Sequence, residues 1–122
     1  MEVGETLLVE TRQAWRAWLA RHSRARTEIW LVSYKKGSGQ RSLGYESAVE
    51  EALCYGWVDG QIKSIDAEHY VTRFSPRRPS TNWSESNRAR VRMLVEARKM
   101  TKAGLAILPA DLREELGLEP AR

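Results

Sequence analysis

Hydrophobic positions along the chain recur with two different spacings, and each change of spacing marks a change of element. A short apolar run over residues 6–9 predicts a first strand. Thr11 then offers a helix N-cap, and "RQAWRAWLARH" puts Trp15, Trp18, Leu19 and His22 at i, i+3, i+4 and i+7, one buried face. His22 closes that stripe at a helix end, where a histidine packs or caps carbonyls, so it is read as structural. "EIWLVSYKK" is apolar on both alternating faces and rich in β-branched and aromatic residues. It predicts a central strand covered on both sides.

"KKGSGQRSLG" breaks regular structure. Its lysines and glycines lack the Walker spacing, so a mobile polar loop is expected rather than a phosphate loop. In "YESAVEEALCYGW" the residues Val49, Ala52, Leu53 and Gly56 share one face of an amphipathic helix, with Glu46, Glu50 and Glu51 expected toward solvent. Cys54 flanks the stripe as a packing residue, and Gly56 permits the left-handed backbone that ends a helix.

"WVDGQIKSIDAEHYVTRFS" holds two β-type runs around residues 64–68 and predicts an antiparallel hairpin centred near Asp66 and Ala67. With Val58 and Ile62 toward the core, alternation collects Trp57, Asp59, Gln61, Lys63, Tyr70, Thr72 and Phe74 on an outward face. "FSPRRPSTNWSESN" follows, in which Pro76 and Pro79 stop the ladder and hold Arg77 and Arg78 on extended backbone. Ser84 then caps a helix whose buried face is Val91, Leu94, Val95 and Met100; Asn87 lies one turn earlier on that face and needs hydrogen-bond partners. Pro109 interrupts the tail and starts a last short helix. These elements predict an α+β fold in one domain over residues 1–122: an antiparallel sheet of about four strands flanked by helices, in the order β-α-β-α-β-β-α, with residues 106–122 as a short tail or helix.

Composition narrows the function classes. The longest apolar run falls far short of the roughly 20 residues that span a bilayer, and the acidic N-terminus does not resemble a secretory signal, so a cytoplasmic protein is expected. One cysteine excludes an internal disulfide and a multi-thiolate metal site, and neither a metal nor a cofactor is expected. The net charge of +4 is uneven: residues 62–102 carry ten basic and four acidic side chains, the remainder ten and twelve. A basic half of that kind attracts anions, whether nucleic acid, a phosphorylated small molecule or an acidic protein surface.

The ordered set "WLARH", "IWLVSYKK", "ALCYGWVDG", "RFSPRRPSTNWSESN" and "MTKAGL" resembles the YdeI/OmpD-associated family of bacterial proteins, described as bacteriocin-protection proteins. The resemblance runs from Trp15 to Leu105 and is carried by Trp57, Asp59, Gly60, Arg73, Pro76, Arg77, Arg78, Pro79, Trp83, Ser84 and Asn87. Tyr55 and Val58 stand where the family has phenylalanine and isoleucine, and the helical region that follows "AGL" in longer members is replaced by "LPADLREEL". What the resemblance implies is a cytoplasmic protein of stress and antimicrobial-peptide tolerance with no established catalysis. A shortened C-terminus can leave apolar surface uncovered, which makes a homodimer possible.

The residues themselves support the same site from another direction. Arginines on a proline-stiffened loop keep planar donor forks for a carboxylate or phosphate, or lie flat on an indole. Trp57, Asp59, Arg73, Arg77, Arg78, Trp83, Ser84 and Asn87 are therefore the candidate ligand-binding set for an anionic or aromatic ligand; the alternative is that they interlock as structure. No catalytic residue is assigned. An enzyme would use Asp59 as base and Arg77 or Arg78 as anion stabilisers, and nucleic-acid binding would use the basic half with exposed tryptophans.

Overall fold

The computed structural model describes residues 2–78 and 82–119. Its elements run β1 (Thr6–Leu8), α1 (Arg12–His22), β2 (Ile29–Tyr34), α2 (Tyr45–Cys54), β3 (Trp57–Ser64), β4 (His69–Pro76), α3 (Glu85–Glu96), α4 (Lys102–Ala106) and α5 (Ala110–Glu115). The fold is α+β, as the periodicities predict. Among the described residues no helix is long and apolar enough to cross a membrane.

The strands form one sheet in the order β1-β2-β4-β3. β2 pairs antiparallel with β4 and β4 with β3, but β1 and β2 are parallel, so the sheet is mixed where an antiparallel one was expected. The reason is α1: a helix between two neighbouring strands returns the chain to its starting edge and forces a parallel pair. Placing β2 inside the sheet buries Ile29, Trp30 and Leu31 on alternating faces, which explains its continuous apolar run.

The helices cover one sheet face. Thr11 Oγ1 accepts from the Ala14 amide and starts α1, directing Trp15 and Leu19 into the core. There the Trp15 indole N–H donates to the Ala48 carbonyl at 3.0 Å and the ring meets Phe74 edge-on at 5.3 Å. Trp18 stacks on Trp15 at 5.7 Å and stands edge-on to Trp57 at 5.9 Å, while His22 packs on Trp18 at 5.1 Å. A chain of aromatic rings thus ties α1 to the sheet.

The hairpin turn centres on Ala67, with Ser64 opposite Tyr70 and Ile62 opposite Thr72. Gly60 and Gln61 then oppose Arg73 alone, a β-bulge, beyond which Asp59 pairs with Phe74 and Trp57 with Pro76. Trp57, Asp59, Tyr70, Thr72 and Phe74 do share a face, but it is the helix-covered face and not an outward one. Burying Trp57 and Phe74 removes more apolar surface from water than burying Val58, which pairs with Ser75 on the opposite face; the bulge returns Ile62 to the Trp57 side opposite Thr72, where it is left 57% exposed.

α2 crosses the middle of the covered face and meets α1, α3, α4 and β3. Gly56 follows it at φ 76, the left-handed conformation its sequence position predicts. Two further short helices follow; Leu108 between them and Leu112 on α5 enter the core, with Pro109 as N-cap of α5.

Candidate functional site

The expected site divides into separate parts. At the basic turn, the Arg77 amide donates to the Gly56 carbonyl at 2.9 Å, and the Arg77 side chain donates to the Asn82 carbonyl. The guanidinium lies over the Trp83 indole, 4.2 Å from the ring centroid to Cζ. Trp83 itself belongs to the core, 9% exposed. Arg77 Nε and Trp83 Nε1 are buried without a hydrogen-bond partner, and burial holds the Arg77 pKa below its ordinary value. Arg78 is exposed beside them. Pro79, assigned a stiffening role above, lies outside the described residues.

Ser84 Oγ accepts from the Asn87 amide at 3.1 Å and starts α3. That turn brings Asn87 inward, 8% exposed, where its Oδ1 accepts from Arg90 Nη1 at 2.7 Å. Arg90 continues to Glu46 on α2 in a two-pronged pair at 2.7 and 2.9 Å, and this bond holds the Glu46 carboxyl below its usual range. Asp59 accepts the Tyr45 hydroxyl at 2.6 Å. That hydrogen bond first, then burial and the aspartate charge, push the Tyr45 phenol up to about 12.

Arg73 is separated from the others. Its neighbour in the register, Phe74, shares a face with Asp59, so alternation turns Arg73 to the opposite side of the sheet. There it pairs with Glu28 at 2.7 Å and donates to Ser75 Oγ at 3.3 Å. The candidate set therefore falls into separate groups: the Arg77–Trp83 stack, Asp59 with Tyr45, Asn87 with Arg90 and Glu46, and Arg73 on the opposite side of the sheet.

The uneven charge along the sequence has a structural counterpart. Five cations of the basic half pair with acids from outside it: Arg73 with Glu28, Arg88 with Asp111, Arg90 with Glu46, Arg92 with Glu115 and Lys99 with Glu51. Three of the tryptophans, Trp15, Trp30 and Trp57, are fully buried. Neither the stripe of free cations nor the exposed stacking rings of a nucleic-acid surface is assembled by these residues.

Glu51 departs from the solvent-facing position expected of it. Its side chain is 1% exposed and receives Arg12 at 2.9 Å, Arg16 at 3.0 Å and Lys99 at 2.7 Å. Burial pushes its carboxyl up, but Lys99, Arg16 and Arg12 together hold it below its ordinary value. Helical periodicity places Glu51 next to Ala52 on α2 and cannot foresee that cations from α1 and from the turn after α3 converge there. Cys54, one turn on, is fully buried, and burial raises its thiol pKa, which suits packing and not nucleophilic attack.

The arrangement that sequence reasoning set aside lies in the loop between β2 and α2. Residues 34–37 and 39–44, with Tyr70 of β4, line an open hollow of about 440 Å3. Lys35 anchors one wall: its Nζ donates to Ser64 Oγ at 2.6 Å and to the Asp66 carbonyl at 2.7 Å, and its amide to Glu68. Ser42 Oγ anchors the other by accepting the Tyr34 amide at 3.0 Å. Lys36 and Arg41 are exposed, and no carboxylate stands among the lining residues. Gly44, the N-cap of α2, lines the hollow and brings no side chain to cap the first amides of the helix. Two lysines before two left-handed glycines were the available signal. They failed the Walker spacing, and the partner wall from β4 is invisible in a linear reading.

Among the described residues no three His, Cys, Asp or Glu side chains gather to hold a metal. No curated protein and no solved structure matches the chain. The family described as Domain of unknown function (DUF8412) matches residues 7–107, most of the sequence, and the chain belongs to that family.

Proposed function

We propose that this protein is a non-catalytic binding protein for a small anionic ligand, held in the hollow between the β2–α2 loop and the hairpin. The observation that carries the reading is the imbalance of charge in that hollow: Lys35, Lys36 and Arg41 line it and no acid does. Tyr70 and Leu43 add apolar wall, so an anion attached to an organic body fits better than a bare ion. The resemblance to YdeI/OmpD-associated proteins supports a setting in stress or antimicrobial-peptide tolerance.

An enzymatic reading is weaker on geometry. Asp59 spends one carboxylate oxygen on Tyr45, and Arg77 is stacked on Trp83. A general base needs a free lone pair aimed at substrate, and an anion stabiliser needs a free fork.

Thermal denaturation in a panel of small anions tests the proposal. A ligand at 100 times its Kd adds about 2.7 kcal/mol, several degrees for a domain of this size. We expect stabilisation of the wild type by at least one anion and its loss in Lys36→Ala/Arg41→Ala, with the unliganded melting temperature unchanged. Equal stabilisation of wild type and double variant would place the binding elsewhere and overturn the reading.

A further inference from the structure

We infer that the hollow is built for a phosphomonoester dianion, a proposal that rests on the anion-binding reading above and specifies its ligand. Three observations converge. Donors come from three places in the chain: Lys36 at the start of the loop, Arg41 toward its end, and the N-terminus of α2, whose N-cap Gly44 lines the hollow and makes no side-chain cap. A phosphoryl group with three terminal oxygens can engage three such donors, whereas a carboxylate has two oxygens to offer.

The charge count agrees. Lys35 is committed to the hairpin through Ser64 and Asp66, so Lys36 and Arg41 are the two cations available to the hollow. Two cations match the near-double charge of a phosphomonoester at neutral pH and exceed that of a carboxylate or a phosphodiester.

Space allows the approach. A Cβ added at Gly37, Gly39 or Gly44 would meet nothing within 4 Å, so a ligand can reach the backbone at all three positions. The volume of about 440 Å3 exceeds a phosphate alone, and Tyr70 offers a ring against which an aromatic or sugar body lies.

Calorimetric titration of the full chain with phenyl phosphate, benzoate and an unphosphorylated oligothymidylate separates the outcomes. Phenyl phosphate is expected to bind most tightly at pH 7.5 and about fourfold more weakly at pH 5.5, since its second ionisation lies near pH 6. Arg41→Ala and Lys36→Ala, both at exposed loop positions, are each expected to weaken it about tenfold, the effect of one charge-assisted hydrogen bond. Benzoate binding as tightly as phenyl phosphate would overturn the phosphomonoester while leaving the anion site intact. Tighter binding of the oligothymidylate would overturn it in favour of nucleic acid, and no binding by any of the three would overturn both readings.

Discussion

The Arg77 guanidinium lies over the Trp83 indole at 4.2 Å, which joins the end of β4 to the segment leading into α3. The cation shields a core tryptophan from water at the point where the chain leaves the sheet. A loop that carries arginine, proline and tryptophan is therefore held by its own side chains, and its most basic stretch is partly spent on structure.

Removing that cover should destabilise the fold without touching the loop hollow. Arg77→Ala is expected to cost about 1–2 kcal/mol, from the cation–π contact and the lost packing of its stem. Tryptophan emission should shift to the red as Trp83 gains water. Urea denaturation of wild type and variant measures the first effect, and an unchanged midpoint would show that the stack contributes nothing.

Glu51 should make stability depend on acid. Its carboxyl is held below its ordinary value in the folded state, so it binds protons more readily when unfolded. The contribution is complete above the unfolded pKa near 4.3 and is lost as pH falls from there through the lower folded value. Glu51→Gln should remove part of that dependence and cost about 2 kcal/mol at pH 7, below the usual range for breaking a buried pair because its cations keep 32–40% exposure and can rehydrate. Chemical denaturation between pH 3 and 7 is the measurement; parallel curves for the two proteins would refute the assignment.

Local pattern carried most of the fold and little of the site. Thr11 and Ser84 were legible as caps because an N-cap is decided by a few neighbouring residues, and Trp15 with Leu19 by spacing alone. The parallel β1–β2 pair and the inward turn of Trp57 depend on which face the helices occupy, a long-range choice that alternation leaves open. Glu51 was misplaced for the same reason: its partners lie 35 to 48 residues away. Lys36 and Arg41 were visible as charges, but only the fold reveals that they share a hollow with Tyr70.

Tyr45 should titrate late and affect alkaline stability. Its folded pKa of about 12 lies above the unfolded value near 10, so the Asp59 hydrogen bond is fully present below pH 10 and is lost as pH rises through 12. Absorbance titration should show one phenol ionising near pH 12 and moving out of that range, or vanishing, in Tyr45→Phe. Because Tyr45 is 45% exposed, the substitution is expected to cost only about 1 kcal/mol at neutral pH. An alkaline titration identical in the two proteins would mean the bond does not persist in solution.

Gly104 marks the tightest approach of two elements, and its substitution should be the most damaging of those considered. A Cβ there would stand 2.3 Å from the Cys54 carbonyl oxygen and 2.9 Å from that of Leu53, both backbone atoms at the end of α2. The same carbonyl of Cys54 accepts the Thr101 amide at 2.9 Å and the Thr101 hydroxyl at 2.5 Å, so α4 cannot retreat without breaking the bonds that dock it. Backbone has no rotamer to change, and a displaced α4 would withdraw Leu105 from the core edge. Gly104→Ala is therefore expected to destabilise by about 3 kcal/mol, at the upper end for overpacking. Gly44→Ala is the internal comparison: its added Cβ meets nothing within 4 Å and its φ of −68 suits alanine, so its midpoint should stay within about 0.5 kcal/mol of wild type. Equal effects of the two substitutions would show that α4 is not docked as closely as the Cys54 contacts require.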